Sequence, residues 1–325
     1  MVSSGTEIGW LTNCEYTLAQ EWWTPTPLLS TQVVGQRLGI DLWLKREDST
    51  PIGSFKLRGA LVCMDILNSG IPKAGVYVAS AGNYGIAIAV AGRRRRTPVK
   101  VFAPVGATPS KLERIRLSGA TLITVGDDFD TAKSVAREAA IEDGAVFWED
   151  GVVPQMSHGA ATIGTEILRQ GDEWDLVLVP LGNGSLIKGV ATAFKSQSPR
   201  TRVIGLVPSG APSMAQAMLG QAWCESRVDT YADGLAVRIP ILPIVEELKT
   251  LVDEVWVVDE SKLLPAVKSL LELEQIVAEP SAAISLAGLY DHRDQICGKK
   301  VVAVLTGSLL NMDLIHKVLG GDALF

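Results

Sequence analysis

The sequence predicts an α/β protein built from parallel sheets flanked by helices, and three observations lead to that prediction. Nine short runs of apolar, mostly β-branched residues recur along the chain, and segments of helical character separate them. Runs that are apolar throughout suit strands buried on both faces, as in a parallel sheet covered by helices. The chain has 325 residues, which is enough for two domains or one large α/β unit.

The predicted elements fall into two groups along the chain. Strands are predicted at residues 42–47, 75–80, 99–104, 120–125, 145–150, 175–180, 202–208, 254–259 and 300–307. Helices are predicted between them, for example at residues 107–118, 131–142 and 261–273. The grouping predicts a small domain of residues 50–155 and a large domain of residues 1–49 and 156–325. Ligands of open α/β sheets bind beyond the carboxyl ends of the strands, so the loops after the strands are the places to search.

The charge balance argues against a nucleic-acid partner, and the lengths of the apolar runs argue against a membrane. The chain carries 30 Lys and Arg against 36 Asp and Glu, a net charge of -6, whereas nucleic-acid binding needs clustered positive charge. Its one basic run, residues 93–96, is interpreted as a solvated helix end, where cations oppose the negative pole of the helix dipole. No apolar run approaches the roughly 18 residues that span a bilayer.

The cysteines and the N-terminus predict a cytoplasmic protein without a bound metal. Cys14, Cys63, Cys224 and Cys297 are scattered, with no CxxC pair among them. This usage is typical of a reducing, intracellular compartment and of a chain without a zinc site. The start "MVSSGTEIGW" lacks the charged residues and apolar core of an export signal.

One lysine lies in an unusual place. The stretch "TPIGSFKLRGA" puts Lys56 between Phe55 and Leu57, directly after a Gly-Ser turn and at the start of an apolar, helix-prone segment. The simplest interpretation is a solvated surface lysine. The alternative is an amine that takes part in chemistry, and this depends on what the nearby strand ends supply.

Two strand ends run into loops that could bind an anion. After "VYVAS", Ser80, Gly82 and Asn83 fall at a helix N-terminus, which suits either an anion or a simple capped turn. After "LVLVP", the loop 182–185 reads Gly-Asn-Gly-Ser and leads into a helix. Its backbone amides suit a single phosphate, because the G-x-G-x-x-G spacing, the acidic residue after the next strand and the GK[ST] of a P-loop are all absent.

A third strand end carries a hydroxyl. "VVAVLT" ends at Thr306, which is either a β-branched filler or a functional group at the same edge of the sheet. Four strand or loop ends thus offer a lysine, an amide side chain, a phosphate-sized loop and a hydroxyl.

Seven motifs occur in a fixed order along the chain: "GSFKLRGA", "SAGNYG", "PLGNGSLIKG", "VPSGAPSM", "YADGLAV", "AEPSAA" and "VLTGS". In these residues the chain resembles pyridoxal-phosphate enzymes of the tryptophan-synthase-β-like fold, also called fold type II. The serine/threonine dehydratase branch is the most similar. The resemblance runs from residue 24 to residue 308. It implies two doubly wound open sheets, a cofactor in the cleft between a larger and a smaller domain, and a homodimer.

The resemblance also implies roles for individual residues. Lys56 would form the Schiff base with pyridoxal 5′-phosphate, and Phe55 would pack beside the cofactor. Asn83 would hydrogen-bond the 3-oxygen of the ring, and Thr306 would face its nitrogen. The phosphate would be held by Gly182, Asn183, Gly184, Ser185 and Leu186. The carboxylate of a small amino-acid substrate would be gripped by Ser80, Ala81, Gly82 and Tyr84.

The implied activity is that of an ammonia-lyase. It would remove water and ammonia from a β-hydroxy amino acid through Cα deprotonation by Lys56 and an aminoacrylate, giving a 2-oxo acid. A hydroxyl such as that of Thr306 cannot hold a positive charge on the ring nitrogen as an aspartate would, which favours elimination over transamination.

Three alternatives remain open. They are β-replacement as in cysteine synthases, a threonine-synthase-like β,γ-replacement suggested by Thr306, and a non-catalytic homologue. Departures from the dehydratase pattern include Tyr84 in "SAGNYG" and the side chains in "GNGS". Ala81 occupies the place of a second acid/base serine, which disfavours racemisation. Val207 and Pro208 replace the Glu-containing metal motif of related racemases, so no metal is expected.

Overall fold

The computed structural model describes residues 7–20, 23–67, 70–171, 173–223 and 228–325, so that Cys224 lies outside the described residues. The chain divides into two units. Unit 1 consists of Met1–Thr24 and Lys56–Gly159, and unit 2 of Pro25–Phe55 and Ala160–Phe325. The sequence-based boundaries assign the N-terminal segment to the larger domain, whereas the structure groups it with the smaller unit 1. Thr17 in that segment donates a hydrogen bond to Asp65 of unit 1 over 2.8 Å.

Strands and helices alternate through the described ranges. The strands are β1 Leu28–Ser30, β2 Asp41–Arg46, β3 Val76–Ala79, β4 Val99–Ala103, β5 Thr121–Thr124, β6 Val146–Phe147, β7 Leu176–Pro180, β8 Arg202–Pro208, β9 Glu254–Val258 and β10 Lys300–Leu305. The helices are α1 Glu7–Gln20, α2 Val33–Leu38, α3 Lys56–Ile66, α4 Asn83–Arg95, α5 Pro109–Leu117, α6 Phe129–Asp143, α7 Pro154–Gln170, α8 Ser185–Gln197, α9 Ser213–Met218, α10 Leu242–Leu251, α11 Leu263–Glu274, α12 Pro280–Asp291, α13 Arg293–Ile296 and α14 Met312–Gly320. Within these ranges, no helix has the length and apolar character needed to cross a bilayer.

Unit 2 is built on a six-stranded sheet in the order β1-β2-β10-β7-β8-β9. All neighbouring strands are parallel except β1, which runs antiparallel to β2. Strand β1 was not predicted, because three residues are too few to show a strand pattern. Strand β10 lies inside the sheet, where Val302 pairs with Trp43 of β2 on one side and with Val177 of β7 on the other.

Helices cover both faces of this sheet. Successive residues of a strand point to opposite faces. Val301 and Ala303 belong to an apolar cluster that contains residues of α12, whereas Val302 and Val304 belong to a second cluster with residues of α8. The predicted α/β class with a doubly wound sheet is therefore confirmed, and the apolar runs have the two buried faces that their composition required.

Unit 1 has a four-stranded parallel sheet in the order β5-β4-β3-β6. The run 145–150, predicted as a strand, forms only the two-residue strand β6. The N–H of Trp148 still bonds the carbonyl of Tyr77 over 2.9 Å. The chain then turns at Gly151, whose φ of 90° is in the left-handed region that favours glycine. Asp150 consequently lies in a turn beyond the carboxyl end of β6, and not in the strand.

The basic run ends α4 as the sequence suggested. Arg93, Arg94 and Arg95 occupy the last turn of the helix, and Arg96 follows in the left-handed conformation with φ 57°. Arg93, Arg94 and Arg96 are exposed. Cations at the carboxyl end of a helix are favourable because they oppose the negative pole of its dipole.

We expect the cysteines to differ sharply in reactivity in the folded protein. Cys14 and Cys63 are fully buried, whereas Cys297 is exposed. Burial, and to a lesser extent the charge of Glu15, raises the pKa of Cys14 to about 12. Burial, followed by the charge of Asp150, also raises the pKa of Cys63. Because the thiolate is the reactive form, iodoacetamide at pH 8 should alkylate Cys297 alone among these three cysteines.

Peptide mass spectrometry before and after urea denaturation checks this expectation. All three cysteines should be alkylated once the protein is unfolded. Alkylation of Cys63 at the rate of Cys297 in native buffer would contradict the buried placement of α3.

Candidate active site

Lys56 is the first residue of α3 in unit 1, and a carboxylate binds its ammonium. Its Nζ lies 2.8 Å from Oδ1 and 2.6 Å from Oδ2 of Asp150. The side chain of Lys56 is 15% exposed and that of Asp150 is 20% exposed. Hydrogen bonds between charged groups at such distances are shorter and stronger than neutral ones. Lys56 is therefore a largely buried lysine with a specific partner, and not a solvated surface lysine.

The backbone of α3 is held close to the start of α7 one turn after Lys56. A Cβ on Gly59 would lie 2.8 Å from Cα of Met156, and a Cβ on Gly159 would lie 2.6 Å from Cα of Gly59. Only glycine allows two backbones to approach this closely. The contact fixes the part of α3 that carries Lys56.

Tyr84 lies next to Lys56. The ring centroid is 5.7 Å from Nζ of Lys56, and the hydroxyl donates a hydrogen bond to the carbonyl of Trp148 over 3.3 Å. Burial, followed by the charge of Asp150, raises the pKa of Tyr84 well above its usual value. The phenol therefore stays protonated at neutral pH and acts as a donor. A direct contact of Tyr84 with substrate remains a prediction.

The loop after β3 closes on its own first residue. The Oγ of Ser80 accepts hydrogen bonds from the N–H groups of Gly82 over 3.1 Å and Gly85 over 2.9 Å. The capped turn of the simpler interpretation is thus present. Ala81, Gly82 and Asn83 are partly exposed, and Asn83 begins α4. The loop therefore also presents a helix N-terminus to its surroundings, and anion binding there remains a prediction.

In unit 2, the glycine-rich loop between β7 and α8 has a shape that side chains would disrupt. Gly184 has φ 95°, and a Cβ there would lie 2.6 Å from Cγ2 of Ile244. A Cβ on Gly182 would lie 2.9 Å from the carbonyl oxygen of Gly234. The first hydrogen bond of α8 runs from the N–H of Lys188 to Gly184 over 2.9 Å. The first amides of an α-helix generally have no acceptor within the helix itself, and such amides can bind a phosphate.

Thr306 and Phe55 lie at the same edge of unit 2. Thr306 follows the carboxyl end of β10, the strand next to β7. Its carbonyl accepts a hydrogen bond from the N–H of Phe55 over 3.0 Å, and its neighbour Gly307 bridges to Ser54. The Oγ1 of Thr306 is buried and has no hydrogen-bond partner among the described residues. Burying a hydroxyl without a hydrogen bond costs free energy of folding, unless a bound ligand supplies the missing hydrogen bond.

Glu279 holds the segment that follows Thr306, and its side chain does not cap helix α12. It occupies the position before α12, but its carboxylate makes no capping bond. Oε2 instead accepts a hydrogen bond from the N–H of Leu309 over 3.1 Å, and the N–H of Glu279 donates to Gly307 over 3.0 Å. The observed contacts hold the chain that follows Thr306.

Each unit, taken by itself, carries groups that suit the cofactor that the resemblance implies. Unit 1 supplies a largely buried amine in Lys56, and unit 2 supplies a glycine loop at a helix N-terminus. The orphaned Oγ1 of Thr306 suits a neutral hydrogen-bonding atom such as a ring nitrogen. The described ranges contain no group of three His, Cys, Asp or Glu side chains able to hold a metal ion.

We expect Gly184→Ala to weaken both the loop and phosphate binding. Positive φ and the clash with Ile244 oppose the methyl group, and strain of this kind amounts to about 1–3 kcal/mol. The measurement is the urea unfolding midpoint together with the dissociation constant for pyridoxal 5′-phosphate. Gly106→Ala is the control, because a Cβ there meets nothing within 4 Å. Equal values for both variants would contradict the observed loop conformation.

Asp150 is the site residue that sequence reasoning missed. The sequence pattern places it at the end of the predicted strand 145–150, where it has no assigned role. One signal was available, because Asp150 follows a strand whose neighbour β3 leads into the Ser80 loop, and carboxyl ends of parallel strands meet at one edge. Because β6 ends at Phe147, Asp150 lies in the following turn and its side chain can reach α3.

Comparison with known proteins places these residues in a family. Residues 19–307 match the family model described as pyridoxal-phosphate dependent enzyme. The chain is 34% identical over 296 residues to "Threonine dehydratase 2 biosynthetic, chloroplastic" of Solanum lycopersicum, covering 90% of this chain and 50% of that protein. It is 35% identical over 295 residues to "L-threonine ammonia-lyase" of Thermotoga maritima, covering 90% of this chain and 73% of that protein.

A solved structure agrees with the sequence comparison. The processed form of threonine deaminase isoform 2 from Solanum lycopersicum superimposes with a TM-score of 0.90 and 32% identity. The match covers 98% of this chain and 88% of that chain. The chain spans about half the length of the full plant relatives that it matches.

Proposed function

Because the chain belongs to the family of pyridoxal-phosphate dependent enzymes, we propose that it is an ammonia-lyase acting on a β-hydroxy amino acid of the serine or threonine kind. The products are a 2-oxo acid and ammonia. The observation that carries the proposal is the similarity over 90% of the chain to a threonine dehydratase and an L-threonine ammonia-lyase. The fold of a threonine deaminase supports it.

The residues of unit 2 would hold the cofactor. Pyridoxal 5′-phosphate, when bound, supplies an aldehyde that bonds to amino groups and a ring that takes up the electron pair left at Cα. The amides of Gly182, Asn183, Gly184, Ser185 and Leu186 would bind its phosphate. Thr306 would donate to or accept from the ring nitrogen, and Phe55 would pack beside the ring. Asn83 of unit 1 would bond the 3-oxygen.

Lys56 would act at two points. It is the residue proposed to bond the aldehyde in the resting enzyme. Once a substrate amino group has displaced it, its amine would take the proton from Cα as general base. The loop of Ser80, Ala81, Gly82 and Tyr84 would orient the substrate carboxylate, so that the Cα–H bond faces Lys56.

The hydroxyl of Thr306 favours elimination. It is neutral and buried, so it cannot stabilise a positively charged ring nitrogen as a carboxylate would. Electron density that reaches Cα is then best relieved by the loss of the β-hydroxyl. The same argument disfavours transamination, which needs a long-lived negative charge at Cα.

A substrate panel tests the proposal. The purified protein with added cofactor is incubated with serine, threonine, 3-hydroxyaspartate, phenylserine and O-acetylserine, and ammonia and 2-oxo acid are measured together. We expect equal amounts of the two products from at least one β-hydroxy amino acid. A thioether product formed from O-acetylserine and added thiol, without ammonia from any hydroxy amino acid, would favour β-replacement. Phosphate release from O-phosphohomoserine would favour the threonine-synthase-like reaction.

We propose further that the protein is a cytoplasmic homodimer. The dehydratase resemblance supports the dimer, and the scattered cysteines without CxxC support a reducing compartment. Light scattering should give about twice the chain mass of 34.7 kDa, in line with the prevalence of two-fold dimers. A mass of one chain would reject the dimer without affecting the proposed chemistry.

A further inference from the structure

The carboxylate that binds Lys56 comes from a hydrogen-bonded turn in unit 1. The N–H of Trp148 is bonded to β3, and the N–H of Val152 donates to the carbonyl of Glu149 over 3.1 Å. Gly151 supplies the positive φ that the turn requires. Asp150 therefore reaches Lys56 from a turn whose backbone is hydrogen-bonded on both sides of it.

The neighbouring acid, Glu149, is directed elsewhere. Its Oε1 lies 3.2 Å from Nζ of Lys133 and its Oε2 lies 2.7 Å from a guanidinium nitrogen of Arg137, both on α6. Two adjacent carboxylates thus serve different partners. One binds a surface helix, and the other binds the lysine at the start of α3.

We propose that Asp150 is a positioning residue that holds the Nζ of Lys56 whenever this nitrogen is charged and is not bonded to the cofactor. This inference rests on the proposed function, in which Lys56 leaves its covalent bond and then carries the proton taken from Cα. An ammonium in a largely buried place needs a counter-charge, and the two Asp150 oxygens at 2.8 and 2.6 Å provide it.

The geometry gives Asp150 two tasks in each cycle. It keeps the released lysine within the site, because both carboxylate oxygens engage Nζ and limit its rotation. It also balances the charge that Lys56 gains when the Cα proton arrives. No atom of Asp150 is consumed, and the proton stays on Lys56 until it is passed to the departing β-hydroxyl, which is released as water. The ring of Tyr84, 5.7 Å from Nζ, bounds the same place.

The first test uses the chain of 325 residues without cofactor. Competitive acetylation with a trace of labelled acetic anhydride at pH 8 reports the reactivity of Lys56 by peptide mass spectrometry. Asp150→Asn keeps the size of the side chain and removes its charge. We expect Lys56 to be acetylated about fivefold faster in this variant, the scale of losing one ion pair. Asp150→Glu should restore a rate close to that of the wild type.

The second test uses the enzyme with cofactor. In Asp150→Asn we expect kcat and the exchange of the Cα hydrogen with D₂O to fall together by about tenfold or more, with KM nearly unchanged. Glu149→Gln is the matched control, because it makes the same chemical change one residue away. It should leave acetylation, exchange and kcat at wild-type values. Circular dichroism confirms that each variant is folded.

The outcomes separate this inference from the proposed function. If Asp150→Asn matches the wild type in both acetylation and Cα exchange, the inference is wrong while the ammonia-lyase proposal stands. If Glu149→Gln shows the same changes, the effect is one of general surface charge and the inference is equally overturned. If the wild type releases no ammonia from any hydroxy amino acid, the proposed function fails, and the acetylation rates still decide whether Asp150 holds Lys56.

Discussion

A Lys56→Ala variant is expected to fold normally, to bind no cofactor covalently and to lose ammonia release by about 10³-fold or more, the scale of removing a general base. It removes the amine that bonds the aldehyde and the amine that takes the Cα proton. Folding should survive because the partner left behind, Asp150, retains contact with water at 20% exposure of its side chain. A carboxylate that is still partly hydrated avoids most of the penalty of an isolated buried charge.

Two measurements and one control variant check this prediction. Borohydride treatment followed by intact-mass spectrometry should add the cofactor to the wild type and nothing to the variant. Ammonia release is measured with the hydroxy amino acid that the panel identifies. Lys100→Ala is the control, because Lys100 lies in the same unit at β4 and pairs with Asp143 over 2.8 Å. Covalent cofactor in Lys56→Ala would move the Schiff base to another lysine and reject the assignment.

Among the variants proposed here, Lys45→Met is expected to lose the most stability, about 3–5 kcal/mol of the free energy of unfolding. Lys45 lies on β2 in unit 2 with its side chain fully buried. Its three donors reach Oε2 of Glu166 over 2.7 Å, Oε1 of Gln170 over 2.8 Å and the carbonyl of Thr26 over 2.8 Å. Methionine fills the volume and leaves the carboxylate of Glu166 inside the unit without its cation.

Urea unfolding followed by tryptophan fluorescence measures the loss. The double variant Lys45→Met/Glu166→Met should regain much of it, because replacing both members of a buried ion pair removes the lone charge. Arg200→Met is the control, since Arg200 and Glu173 form a pair whose side chains are 89% and 90% exposed, and exposed pairs contribute little. A Lys45→Met midpoint equal to that of Arg200→Met would show that the buried network does not stabilise unit 2.

The parallel strands were predicted well because their continuous apolar residues are typical of strands buried on both faces. β7 and β10 read as continuous apolar runs, and their positions agree with the structure within two residues. β1 was missed because it has three residues and depends on pairing with β2. The strand 145–150 was drawn too long because its apolar and aromatic residues continue past Phe147, where the turn at Gly151 takes over.

Part of the candidate site could be predicted from short motifs. Pairs of residues far apart in the sequence could not be predicted. Lys56 and the glycine loop each stand in a short stretch whose turn and helix start can be read directly. The partner of Lys56 is 94 residues away, and Lys45 finds Glu166 across 121 residues. No pattern in a single sequence fixes such a pairing, because it depends on which strand ends come to share an edge. Asp150 and the network around Lys45 therefore emerged only from the structure.

The place of β10 between β2 and β7 constrains the order in which a nascent chain can mature. Polypeptides emerge from the ribosome N-terminus first, and compact parts generally fold as soon as they are complete. Every strand of the four-stranded sheet has been made by residue 147, whereas the six-stranded sheet keeps a gap at its centre until residue 305 has appeared. The sheet of unit 2 therefore cannot be completed until β10 has left the ribosome, and until then the edges of β2 and β7 are accessible to chaperones. A stalled or truncated translation product lacks both β10 and the hydroxyl of Thr306 that follows it.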